Sequence, residues 1–190
     1  MRSSPDPIAT ESRPRRGPRG ASALLILAWV IGACLLGTGD PGAEEPRLQR
    51  WEIASTPALE LRDLSGQLHT LPDYRGHVTL VNFWATWCEF CKDEVASMAK
   101  LQEQLAGRPF TILLVNYGEG RGKVSAYAKQ LSADVRVLLD PDQDTARAWR
   151  VRVVPSSFLV DPQGIVRYRA IGNMDWGNEE SVRTVRALLP

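Results

Sequence analysis

The feature that most constrains this chain is a Cys-x-x-Cys placed where one periodicity gives way to another. Val81-Asn82-Phe83-Trp84-Ala85-Thr86-Trp87 is a β-branched and aromatic run with the composition of a strand. After it, Cys91, Val95, Met98, Leu101 or Gln102, and Leu105 recur at steps of three and four, which predicts an apolar stripe on a helix beginning near Cys88. The sulfurs therefore sit where a strand hands over to a helix. The first turn of a helix carries unpaired N–H groups and the positive end of the macrodipole, so a thiolate at Cys88 is expected to be favoured. Thiols in such settings fall from about 8.5 to somewhere between roughly 3.5 and 7.5. Cys91, one turn further in and on the apolar stripe, is expected to be more buried and less ionised. That asymmetry assigns roles: Cys88 attacks or is attacked, and Cys91 resolves the mixed disulfide from within.

Around this junction the remaining elements alternate. Ala58 to Leu64 and Gln67 to Thr70 read as a hairpin about Ser65-Gly66, and Leu71 to Gly76 as a short helical turn ended by glycine. Phe110 to Val115 is a continuous apolar strand, followed by a glycine-rich loop, Asn116 to Gly122. Lys123 to Leu131 is a helix presenting Val124, Tyr127, Ala128 and Leu131, Val135 to Leu139 a strand, and Thr145 to Trp149 a short helix. Ser157 to Val160 and Ile165 to Ile171 flank the turn Asp161-Pro162-Gln163-Gly164, and Glu179 to Leu189 closes the chain as a helix with Val182, Val185 and Leu189 inward. The pattern predicts an α/β three-layer sandwich around a mixed sheet.

Two blocks carry a family resemblance. Asn82-Phe83-Trp84-Ala85-Thr86-Trp87-Cys88-Glu89-Phe90-Cys91-Lys92-Asp93-Glu94 resembles the active-site signature of TlpA/ResA-like thioredoxin-fold proteins. Val151-Arg152-Val153-Val154-Pro155-Ser156-Ser157-Phe158-Leu159-Val160-Asp161-Pro162-Gln163-Gly164 is similar to that family's cis-proline loop and hairpin. The resemblance spans about residues 51 to 190. It implies a thioredoxin-like fold with an N-terminal β-hairpin and a βα insertion between Phe110 and Leu139. It also implies a cis Pro155 lying against the sulfurs, with the Val154 backbone available to an extended substrate. Glu94, one helical turn after Cys91, is by the same resemblance the acid that moves protons to and from the resolving thiol; a partly buried carboxyl there would have a raised pKa. The alternative is an exposed glutamate paired with Lys92 or Lys100. Asn82 stands where thioredoxin has a buried aspartate, so Glu94 would act alone.

Trp87, beside Cys88, is expected to cover the sulfur and offer a docking surface, and Trp84 to be core. Glu89 and Phe90 depart from the family pattern, which has proline at the second place. An acid beside Cys88 should raise its pKa, while its place in the first helical turn is favourable, so both residues are expected to tune the redox behaviour. Ala96 stands where the family has a helix-kinking proline, so the helix is expected to run straighter.

Other uses of the two cysteines are weaker. A four-residue loop makes a poor structural staple. Zinc needs four ligands, and beyond the pair the chain offers Cys34, His69 and His77. Three cysteines are too few for a disulfide framework, and a net charge of +1 without a basic stripe argues against nucleic acid.

Residues 1–20 are rich in Pro, Ser, Gly and Arg and read as a disordered basic tail. Ala21 to Gly37 is almost wholly apolar, with positive charge only ahead of it, which predicts export with the tail left inside. Segment 21–39 is read as an uncleaved anchor at the short limit of the roughly 17–25 residues that a span needs. Lipidation of Cys34 in Ile31-Gly32-Ala33-Cys34, or cleavage near Gly37-Thr38-Gly39, are the alternative fates. Residues 40–50 form a polar linker, and 51–190 the domain.

The sequence thus predicts a membrane-tethered thiol–disulfide oxidoreductase, monomeric and without cofactor or metal, facing outward from a bacterial cytoplasmic membrane. The resemblance implies a transmembrane electron donor and, as client, apocytochrome c or a copper-site protein. The alternative is a Cu(I) carrier that uses the same two thiolates to supply an oxidase. A peroxidase is disfavoured, because relatives of that kind carry a different, single-cysteine signature.

Overall fold

The computed structural model describes residues 47–52, 55–131 and 135–190. The expected basic tail, the apolar segment with Cys34 and residues 40–46 of the linker lie outside them. Among the described residues, no helix is long and apolar enough to cross a membrane. In chain order the elements are β1 (Gln49–Arg50), β2 (Glu60–Asp63), β3 (Leu68–Thr70), a 3-10 turn (Leu71–Tyr74), β4 (Val78–Trp84), α1 (Glu89–Gln104), β5 (Phe110–Tyr117), α2 (Arg121–Ala128), β6 (Arg136–Asp140), α3 (Asp144–Ala148), β7 (Ser156–Val160), β8 (Val166–Ile171) and α4 (Glu179–Arg186).

The strands form one eight-stranded sheet in the order β1-β8-β7-β4-β5-β6-β2-β3. β4, β5 and β6 run parallel, while β7, β8 and the β2–β3 hairpin are antiparallel to their neighbours. Every residue of β4 is buried, as a central strand covered on both faces should be. Its alternate side chains divide the core. Val78, Leu80 and Trp84 pack with α1, α2 and α4 on one face. Val81 and Phe83 pack on the other with Leu59, Leu61, Ala146 of α3, Trp149 and Phe158. This is the thioredoxin-like layered fold expected from the sequence, and β5, α2 and β6 supply the expected βα addition.

Several element ends differ from the sequence reading, each for a local reason. Gln49 and Arg50, expected in the linker, pair with Arg169 and Tyr168 of β8 and begin the sheet two residues before the expected start of the domain. α2 starts at Arg121 rather than Lys123 because the Gly120 carbonyl accepts from Lys123 and Val124, and it ends at Ala128. Beyond that point the chain tightens, with Gln130 bonded to Tyr127 and Leu131 to Ala128. α4 closes in the same way, and Leu189 is only partly buried while Val182 and Val185 are fully covered. α1 runs unbroken through Ala96.

The second core face is held by edge-to-face aromatics. Phe158 meets Trp149 at 5.0 Å and Phe83 at 5.9 Å, and Trp149 Nε1 donates to the Ala58 carbonyl at 2.9 Å. Replacing Trp149 with alanine should therefore lower the unfolding free energy by about 3–5 kcal/mol in urea titration, whereas Phe90→Ala should change it by less than about 0.5 kcal/mol. Phe90 is 68% exposed.

Candidate active site

β4 ends at Trp84, and after the turn Ala85–Trp87 the chain enters α1 with Cys88 as its N-cap. The backbone of Cys88 is extended (φ −90°, ψ 105°), and its Sγ accepts from the Cys91 amide at 3.2 Å. A sulfur thus takes the place in which a hydroxyl or carboxylate oxygen usually satisfies the third amide of a helix. Cys88 and Cys91 are joined as a disulfide. Cys88 keeps 6% of its surface open and Cys91 1%, so the difference in access runs in the expected direction. A cleft of about 580 Å³ beside Arg62, Leu68 and Arg121, and another of about 460 Å³ beside Pro57, Pro72 and Arg75, are not walled by either cysteine.

Glu94 follows one turn beyond Cys91 and has no exposed surface. It is neither exposed nor paired with a lysine; Lys92 instead meets Glu89 at 2.6 Å, in solvent. The Glu94 carboxyl lies among neutral donors. Trp176 Nε1 reaches Oε1 at 2.8 Å, Ser157 Oγ reaches Oε1 at 3.0 Å, and Asn82 Nδ2 reaches Oε2 at 3.1 Å. Asn82 also donates to Ser157 Oγ at 2.8 Å, and its own Oδ1 is left without a partner. Burial raises the carboxyl's pKa from 4.5 to about 7, more than the bonds from Trp176, Ser157, Asn82 and the Met174 backbone lower it. Glu94 thus does not stand alone: Asn82 is one of its hydrogen-bond partners.

The Val154–Pro155 peptide is cis. Ser156 pairs with Phe83 and Ser157 with Asn82, so Pro155 follows at the end of β4 from which the chain turns toward Cys88. Val154 is half-buried and Val153 is 54% exposed. Trp87 is 60% exposed, which leaves much of its indole open to solvent. The Glu89 side chain is also open to water, and with Lys92 as its counter-ion its charge reaches Cys88 weakly. Phe90 is mostly exposed, which leaves its side chain surface to offer a partner. Among the described residues there is no group of three or more His, Cys, Asp or Glu side chains able to hold a metal ion.

Sequence reasoning missed two sets of residues. One is the Ser157–Trp176 pair that holds Glu94; Ser97 secures the Trp176 segment by accepting from the Trp176 amide at 2.9 Å. The other is Glu119, in the loop after β5. Its carboxylate accepts from the Thr86 amide and hydroxyl, both at 2.7 Å, from Asn116 Nδ2 at 2.8 Å, and faces Lys123 Nζ at 2.7 Å. Burial alone would raise its pKa, but Lys123 and the Thr86 and Asn116 donors hold it down to about 2. The only sequence signal was an acid inside the glycine-rich loop.

The chain is similar to known thiol–disulfide oxidoreductases. Residues 54–169 match the AhpC/TSA family. The thiol-disulfide oxidoreductase ResA of Bacillus subtilis is 31% identical over 151 residues, 80% of this chain and 82% of that protein. The thiol:disulfide interchange protein DsbE of Allochromatium vinosum is 31% identical over 65% of this chain and 70% of its own length. A crystal structure described as a DsbE from Chlorobium tepidum superposes with a TM-score of 0.64 at 28% identity, covering 70% of this chain and 93% of that one.

The raised pKa of Glu94 has a consequence for stability. Between pH 4.5 and about 7 the unfolded chain loses this proton while the folded protein keeps it, so Glu94 makes stability fall as pH rises across that window. Denaturant titrations of the disulfide form should show a loss approaching about 3 kcal/mol in the parent relative to Glu94→Gln. Parallel pH profiles for the two proteins would contradict the assignment.

Proposed function

We propose, since this chain belongs to the AhpC/TSA family of thioredoxin-like proteins, that it is a thiol–disulfide oxidoreductase in which Cys88 is the attacking sulfur, Cys91 the resolving sulfur and Glu94 the proton carrier. The observation that carries this reading is the Cys88–Cys91 disulfide at the N-cap of α1, one turn above a fully buried carboxyl.

In the reduced protein, the Cys91 amide and the positive end of α1 favour charge on Cys88. The Cys88 thiolate attacks one sulfur of a client disulfide, forming a mixed disulfide and releasing the other client sulfur as a thiolate, which takes a proton from solvent. Ionised Glu94 then accepts the proton of Cys91, and the resulting thiolate attacks Cys88 Sγ. The Cys88–Cys91 bond closes, the second client sulfur leaves as a thiolate and takes a proton from solvent, Glu94 returns its proton to solvent, and the client departs as a dithiol with two electrons gained. A reductant must then restore the pair, because an oxidising compartment would otherwise leave it closed. A carboxyl with a pKa near neutrality is matched to giving and taking this proton.

The client is a protein. Trp87 and Phe90, next to the cysteines in the chain, and Val153, two residues before cis Pro155, are exposed apolar side chains suited to a protein partner, and an extended segment could lie along the Val154 backbone. We assign residues 21–39 as the tether to the outer side of a bacterial cytoplasmic membrane, a transmembrane protein as the electron source, and apocytochrome c or a copper-site protein as the client. The sequence resemblance supports that reading, and the names of the relatives support the thiol–disulfide chemistry it requires.

Cys91→Ser should accumulate mixed disulfides through Cys88 in cells, seen as adducts on non-reducing gels that vanish with dithiothreitol, while the double variant with Cys88→Ser should form none. Equal adducts in both proteins would refute the assigned roles.

A further inference from the structure

Between the end of β4 and Cys88 lie Ala85, Thr86 and Trp87, and Trp87 is mostly in solvent. Thr86 is held through two atoms by one side chain. Its amide donates to Glu119 Oε2 and its hydroxyl to Glu119 Oε1, each at 2.7 Å. The carboxylate is only 7% exposed and has further partners in Asn116 Nδ2 and Lys123 Nζ. A buried charge is costly unless its lone pairs are engaged, and here they are. The loop bearing Glu119 is itself fixed. The Glu119 amide donates to Asn116 Oδ1 at 3.2 Å and the Gly118 amide to the Asp140 carbonyl at 3.0 Å. Gly118 has φ +74°, and a Cβ there would come within 2.4 Å of Gln143 Nε2, so the loop is seated against the segment leading into α3.

We propose that Glu119 is a positioning residue for disulfide exchange: by gripping Thr86 it holds the segment that carries Cys88, and so keeps the attacking sulfur at the helix N-cap once its bond to Cys91 has opened. The inference rests on the reading of Cys88 as the nucleophile. While the disulfide is closed, the bond to Cys91 holds Cys88 in place. On reduction that constraint is gone. What remains includes the Cys88 amide bond to the Ala85 carbonyl and the Cys91 amide bond to the Cys88 carbonyl, each at 3.2 Å, the contact of the Cys88 sulfur with the Cys91 amide, and the clamp on Thr86. Positional freedom at this stage slows attack, since misplacement of a reacting group by about 1 Å can cost about 100-fold in rate.

The test is the second-order rate at which the reduced full-length protein reacts with a small aromatic disulfide, measured at a pH where the Cys88 thiolate is fully formed. Thr86→Val keeps the shape and the amide bond but loses the hydroxyl bond, and Thr86→Ser keeps both. Glu119→Gln turns an amide group toward donors that need an acceptor. Thr86→Val and Glu119→Gln should react about tenfold more slowly, and Thr86→Ser within about twofold of the parent. Should Glu119→Gln fail to fold, the contrast between valine and serine at position 86 decides. Parent-like rates in Thr86→Val, or an equal fall in Thr86→Ser, would overturn the clamp, provided that Cys88→Ser is inert. A reactive Cys88→Ser would overturn the reading of Cys88, and the clamp with it.

Discussion

A carboxyl group taken wholly out of water must be surrounded by donors, and at Glu94 that requirement ties the site to the fold. The donors come from β4 through Asn82, from β7 through Ser157 and from the segment before α4 through Trp176. Asn82 and Ser157 are register partners across the sheet, so the strand pairing that builds the core also builds the floor beneath the cysteines. The same register brings the cis Val154–Pro155 peptide to the edge where β4 hands over to α1. A slip by one residue would turn Asn82 and Ser157 to the opposite face and leave Glu94 without two of its partners.

The site treats its two buried carboxyls in opposite ways. Glu94 has neutral donors, and burial prevails, leaving its proton near neutrality. Glu119 has a cationic neighbour in Lys123 beside its neutral donors, and together they prevail over burial. One group is thereby suited to exchange a proton with a thiol, and the other carries a permanent charge suited to holding backbone in place. Chain position alone would not separate them; the charge of their partners does.

The parts legible in the sequence were those with local periodicity or a local motif. The β4-to-α1 junction with Cys88 and Cys91, the β2–β3 hairpin and the order of strands and helices all follow from patterns spanning a few residues. Pro155 and Glu94 were reached through resemblance, since nothing within either segment places it against the sulfurs. What could not be read were contacts between distant parts of the chain. Trp176 lies 82 residues from Glu94, Ser157 63 from it, and Glu119 33 from Thr86. Trp176 looked like any core aromatic, and its indole N–H becomes informative only when the acid it serves is seen. The ends of α2 and α4 were misjudged because apolar periodicity runs on through Leu131 and Leu189, where the backbone has already tightened out of the α-helix.

Glu94 carries a proton near neutrality because it is buried among neutral donors, and the site's proton chemistry depends on it. Its carboxyl carbon can be followed directly by 13C NMR across pH in the disulfide form, with Glu94→Gln to assign the resonance. A midpoint close to 7 is expected. A midpoint at an ordinary glutamate value, about 4.3, would mean that water or a cation reaches the group, and the proton-carrier role would be lost.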